Sequence, residues 1–82
     1  MYAIIYSELA LKQLEKLEKR NQERILAVLE RCRIRPEAFA KRLVGQPYFR
    51  LRVGDYRVII DIQDQKIIIF VVEIGHRKNI YD

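Results

Sequence analysis

The sequence is short of the residues from which most compact sites are built. It has one Cys and one His. A structural zinc site takes four such ligands, so a Cys/His zinc cluster is excluded. A lone Cys cannot close an intrachain disulfide, so stability falls to packing, and a reducing, cytoplasmic setting is expected. The three Gly stand apart at 45, 54 and 75, so no phosphate-binding glycine loop is possible. Three Gly and two Pro are too few for a flexible linker, and no repeat or low-complexity segment interrupts the 82 residues. The chain reads as one domain, 1–82. The longest apolar run, residues 67–72, is far below the ~20 residues of a membrane-spanning helix. The first residues lack a basic segment followed by a long apolar run and a cleavage site, so no targeting signal is expected. No GxSxG motif and no pair of metal-binding carboxylates stands out.

What the chain does have is positive charge. Sixteen Lys and Arg against eleven Asp and Glu give +5. The pattern is uneven. Lys41, Arg42, Arg50, Arg52 and Arg57 are opposed only by Asp55 within residues 38–57, whereas the flanking segments are close to balanced. Such a block points to a polyanionic partner, either nucleic acid or an acidic protein. Arg outnumbers Lys ten to six, which favours forked contacts to phosphate.

Periodicity outlines the fold. Residues 2–6 are β-branched and aromatic and predict a strand. Ser7 offers an N-cap, and Ala10, Leu14 and Leu17 form one helical face, with a helix end expected near Arg20 and Asn21. Asn21 is the expected N-cap of a second helix carrying Ile25, Val28, Leu29 and Cys32, stopped by Pro36. With almost no loop between them, the two should form a tight antiparallel hairpin. Residues 36–42 are read as one extra turn and residues 43–47 as a connection. From Tyr48 the period becomes two. Phe49, Leu51 and Val53 share one strand face, and Arg50 and Arg52 the other. Gly54 and Asp55 form a turn, residues 56–62 a strand, residues 63–65 a turn, and residues 66–73 a last strand apolar on both sides. The order β-α-α-β-β-β predicts an α+β fold. Its last three strands are antiparallel neighbours, with the helical hairpin covering one sheet face. The second apolar side of the last strand is then covered either by neighbouring side chains or by a partner.

The side chains left for chemistry are Arg, His and Tyr. Cys32 lies on an apolar helical stripe and reads as a small core residue rather than as a nucleophile paired with His76. Arg, His and Tyr suffice for RNA cleavage, because RNA carries its own nucleophile. A base helps the 2′-OH attack phosphorus, cations stabilise the phosphorane, and an acid protonates the leaving 5′ oxygen. Arg can stabilise charge but cannot act as the base. An imidazole such as His76 can serve in either direction. Neighbouring guanidinium groups should lower the pKa of a phenol such as Tyr81 from its usual ~10.

The run Val53-Gly54-Asp55-Tyr56-Arg57-Val58-Ile59, then an apolar strand, then Ile74-Gly75-His76-Arg77-Lys78-Asn79-Ile80-Tyr81, resembles the RelE/ParE superfamily of bacterial and archaeal toxins. The opening strand, the helical pair and the basic connection Lys41-Arg42-Leu43 fit the same pattern, so the resemblance spans essentially the whole chain. It implies a RelE-like fold and a toxin held inactive by a cognate RelB-like antitoxin. RelE-type members cut mRNA in the ribosomal A site by the 2′-OH route, without metal or other cofactor. ParE-type members share the fold and inhibit DNA gyrase instead. Carried over by position, Arg57 matches the strand arginine at the reacting phosphate. Arg77 matches the tail arginine with a transition-state or general-acid role, and Tyr81 the tail tyrosine that orients or activates the nucleophile. Arg50 stands where RelE has lysine and cannot replace a lysine base, which turns attention to His76, by analogy with YoeB-like toxins. Tyr48 replaces a second lysine. Lys41, Arg42, Arg52 and Lys78 are expected to dock on ribosomal RNA or mRNA.

Overall fold

The computed structural model describes residues 1–76. Its elements are strand β1 (Ala3–Tyr6), helix α1 (Glu8–Glu15), helix α2 (Lys19–Cys32), one 3-10 turn (Pro36–Ala38), and strands β2 (Lys41–Arg42), β3 (Phe49–Val53), β4 (Tyr56–Gln63) and β5 (Ile68–His76). The fold is α+β, as expected, with one strand more than the sequence indicated. The five strands form a single sheet in the order β1-β5-β4-β3-β2. The last four are antiparallel neighbours, and β1 lies parallel to β5 at the edge. The sheet is therefore mixed rather than wholly antiparallel. The helical pair carries the chain away from β1, and β5 later returns alongside it in the same direction.

Ser7 caps α1 as expected, its hydroxyl oxygen accepting from the Ala10 N–H at 2.9 Å. The helix nevertheless stops at Glu15, well before Arg20. The N–H groups of Lys16 and Leu17 reach back only three residues, to Gln13 and Leu14, tightening the last turn. α2 begins at Lys19 with Glu18, not Asn21, at its N-cap, and Glu18 makes no side-chain capping bond. The joint is held instead by Gln22, whose amide donates to the Leu17 carbonyl at 3.0 Å and so satisfies an acceptor at the end of the helical connection. Both helices cover one side of the sheet. Ala10, Ile25, Leu29 and Cys32 are buried against Leu51, Val58, Ile60, Ile69, Val71 and Ile74. Each fully buried Leu or Ile contributes roughly 1.5–3 kcal/mol.

Three further boundaries differ from expectation. Within residues 36–42 the expected turn covers only Pro36–Ala38, as a 3-10 turn. Lys41 and Arg42 pair with Arg50 and Phe49, which adds β2 to the sheet edge. Ile67 is not in the last strand but in the preceding turn, at φ 55°, a costly conformation for a β-branched residue. There its carbonyl accepts from the Ala3 N–H at 3.0 Å, tying the turn to β1. β5 also runs on to His76, so Ile74, Gly75 and His76 belong to the strand rather than to a tail. A bulge lies between Ile59 and Ile60 on β4, where Val72 of β5 is the unmatched residue. It is satisfied from the N-cap and the body of α1. The Ser7 hydroxyl donates to the Val72 carbonyl at 2.6 Å, and the Gln13 side-chain oxygen accepts from the Ile74 N–H at 2.6 Å.

The apolar surplus is partly resolved within the fold. On the side away from the helices, Leu43 folds over Ile59, with Tyr48 and Val72 against them. Ile5, opposite Phe70 on this side, remains 45% exposed.

Candidate functional site

The register of the sheet decides which charges meet. Alternation along β3 sends Phe49, Leu51 and Val53 into the core and Arg50 and Arg52 to the other side. Arg52 lies directly opposite Arg57 of β4, which in turn lies opposite Gly75 of β5. One row along, Lys41 faces Arg50, Arg50 faces Ile59, and Ile59 faces Glu73. Four cations from three strands, Lys41, Arg50, Arg52 and Arg57, thus share the sheet face that the helices leave open. Directly opposed like charges destabilise a strand pair, so the Arg52–Arg57 match is a cost to the fold. Arg57 is also only 7% exposed. A guanidinium in so dry a position acts on a nearby phosphate through a lower dielectric than a surface cation does.

The local sequence explains this placement. Gly54 takes φ +58°, while Asp55 keeps a negative φ, as in a two-residue hairpin with Gly at the first central position. That tight turn closes the Val53–Tyr56 pair and fixes Arg52 against Arg57. A cleft of about 230 Å³ opens on the same face, lined by Phe39, Lys41, Arg50 and Arg52.

Two expected members stand elsewhere. Arg42 is paired with Phe49, so it turns to the helix side, its guanidinium carbon 5.5 Å from the Phe49 ring centroid in a cation–π contact. The two-residue strand thus separates Lys41 from Arg42. His76 lies opposite Tyr56, also on the helix side, and the two rings meet edge to face at 5.5 Å and 76°. The register therefore does not bring His76 onto the face of Arg50 and Arg57. Arg77, Lys78 and Tyr81 lie outside the described residues.

Cys32 is fully buried in the core, and burial pushes its thiol up to about 11, which leaves it protonated and inert near neutral pH. Among the described residues, no group of three or more His, Cys, Asp or Glu is placed to hold a metal ion. Sequence reasoning passed over two members of the basic face. Glu73 was taken only as part of a strand end, yet it adds a carboxylate diagonal to Arg57. Phe39 was assigned to a helical turn. Its signal was its place two residues before Lys41, visible once residues 41 and 42 are read as extended.

A small mixed sheet backed by a helical pair is an architecture found among toxins of toxin–antitoxin systems. The sequence model described as "ParE toxin of type II toxin-antitoxin system, parDE" matches residues 4–81. The mRNA interferase toxin RelE of Escherichia coli (strain K12) is 30% identical over 80 residues, spanning 94% of this chain and 84% of that protein. The intact E. coli RelBE toxin–antitoxin complex contains a chain similar to this one with a TM-score of 0.81 at 30% identity, covering 93% of this chain and 96% of that one. The archaeal RelE–RelB complex from Pyrococcus horikoshii OT3 gives a TM-score of 0.81 at 26% identity, over 96% and 98% of the two chains. The chain belongs to the RelE/ParE toxin superfamily.

Proposed function

We propose that this protein is a RelE-type toxin that cleaves mRNA on the ribosome, in the A site, by attack of the 2′-OH on the adjacent phosphorus. The observation that carries the reading is the convergence of Lys41, Arg50, Arg52 and Arg57 on one sheet face. The E. coli relative is named an mRNA interferase. In this mechanism Arg57 and Arg50 stabilise the extra charge of the phosphorane, while Lys41 and Arg52 hold flanking phosphates. Tyr81 orients or activates the nucleophile and Arg77 stabilises charge or protonates the leaving group, both supplied by the segment after β5. His76 has a proton-transfer role only if its ring leaves Tyr56. The ribosome supplies the substrate geometry, which suits a protein of 82 residues. The reaction asks for no metal and no cofactor. A RelB-like antitoxin, as in the solved RelE–RelB complexes, would hold the toxin inactive in the cytoplasm, its amphipathic segment covering exposed apolar surface such as Ile5.

The test is growth arrest on induction, followed by mapping of mRNA ends with and without translation. Arg57→Gln, Arg77→Ala and Tyr81→Phe should each lower cleavage by ~10²–10³, the usual cost of one charge-stabilising group. Unchanged cleavage in all three would refute the assignment. The family model that matches bears the ParE name, which favours a second reading, inhibition of DNA gyrase without chemistry. Gyrase inhibition with intact mRNA would establish that reading.

A further inference from the structure

Phe39 has no role in the core and none in the mechanism above. It is 47% exposed, whereas its neighbour Ala40 is buried. Its backbone is pinned. The Phe39 N–H donates to the Pro36 carbonyl at 3.1 Å, the Ala40 N–H donates to the same oxygen at 3.0 Å, and Pro36 is itself fully buried. Immediately after this fixed turn, Lys41 enters the sheet opposite Arg50. Phe39 thereby lines the cleft of about 230 Å³ together with Lys41, Arg50 and Arg52. The volume falls short of the ~300–1,000 Å³ of pockets for drug-sized ligands and suits a single ring system.

An exposed aromatic ring on a pinned backbone, beside three cations, is the pairing by which proteins hold unstacked bases of single-stranded RNA. The cations track the backbone, and the ring takes the base. An acidic peptide would use the cations equally well, but it would gain little from the exposed ring. We propose that Phe39 is a stacking platform for the RNA base next to the phosphate held by Arg50 and Arg52. This subsite would set which bases flank the cleavage point. The proposal rests on the RNA-cleaving reading.

The experiment uses a short RNA with 2-aminopurine in successive positions and 2′-methoxy groups that block cleavage, both free and held in programmed ribosomes. Stacking on Phe39 should quench the 2-aminopurine at one position. Phe39→Ala and Phe39→Leu should abolish that quench and weaken binding about five- to 150-fold, with an unchanged salt slope. Leu keeps most of the apolar volume, so a loss shared with Ala reports the π-face rather than misfolding. Phe39→Tyr should restore the quench. Arg52→Ala should instead reduce the salt slope and leave the quench in place. If the wild-type protein binds RNA and both Phe39 variants bind and quench equally well, the platform is refuted and the RNA reading stands. If the variants weaken only an antitoxin complex, the ring belongs to a protein interface and the proposal falls. If the wild-type protein binds neither form of RNA, the RNA reading fails and takes the platform with it.

Discussion

Replacing Gly54 by Ala tests whether one backbone angle sets the geometry of the basic face. Gly54 sits at φ +58°, where an L-residue with a Cβ loses roughly 1–2 kcal/mol. Ala also restricts the unfolded chain, which returns about 0.4–1 kcal/mol. A Cβ at this position would lie 3.1 Å from the Arg24 guanidinium, which supplies its three nearest atoms. That group is the end of a flexible side chain and can move aside, so the backbone supplies most of the cost. The expected net loss is about 1 kcal/mol, or a fall of about 4–8 °C in Tm for a domain of this size. Asn tolerates the left-handed region and should lose less, whereas Val should lose more. The assay is thermal or urea unfolding of Gly54→Ala in the wild-type and Arg24→Ala backgrounds. The two effects should add within about 0.5 kcal/mol. The reasoning fails if Gly54→Ala is neutral, or if its cost vanishes once Arg24 is removed. The folded variant should keep Arg52 opposite Arg57, because a slip of β3 by one residue would turn Arg50 and Arg52 into the core. Its cleavage per folded molecule should therefore match the wild type.

Ile67→Asn should stabilise the protein by up to about 1 kcal/mol and raise Tm by a few degrees, because Asn accepts the φ of 55° and Ile67 is half exposed; a lower Tm would show that its apolar contacts outweigh the strain. Cys32 should resist thiol reagents at pH 8 in the native protein and react on unfolding, since burial holds its thiol near 11; rapid native labelling would contradict the packing described. The Tyr2 phenol donates to Asp64 at 2.7 Å, and that bond to a carboxylate pushes its pKa up to about 12, above the ~10 of an unfolded chain. The folded state holds this proton more tightly, so the associated stability is present below about pH 10 and lost between about 10 and 12. Tyr2→Phe should show a shallower fall in Tm across that window than the wild type, and an equal slope would remove Tyr2 as the source.

The sequence carried the fold where one physical signal dominated. Alternation in residues 49–53 gave β3 and the side to which Arg50 and Arg52 point, and the short turn at Gly54 gave the β3–β4 pairing. Neighbourhood in sequence was a poor guide where the chain bends without a marker. Residues 16–18 hold no Gly or Pro, so the break between helices is invisible in the pattern and is set by Leu17 packing on the core and by the Gln22 amide. β2 is two residues long, too short to show a period. Reading it as part of a turn put Lys41 and Arg42 together, whereas extended backbone sends them to opposite sides. His76 was expected in a tail because the last strand was ended at residue 73, yet Gly75 lies in β5 opposite Arg57. Being adjacent to Arg77 in sequence says little about which side of a strand the imidazole occupies.

The same strand builds both the core and the basic face, and this joins stability to function. Phe49, Leu51 and Val53 anchor β3 against the helices, so Arg50 and Arg52 are held by the packing of their own neighbours. Phosphate recognition needs cations fixed in place, because freezing a mobile Arg on binding costs side-chain entropy. Here folding fixes the backbone from which both arginines project. Directly opposed like charges weaken a strand pair, and Arg52 and Arg57 stand in that relation. An anion seated between them would relieve that repulsion. On the function proposed above, this opposed pair is where a phosphate would sit, and neutralising either arginine should weaken RNA binding while relieving the repulsion.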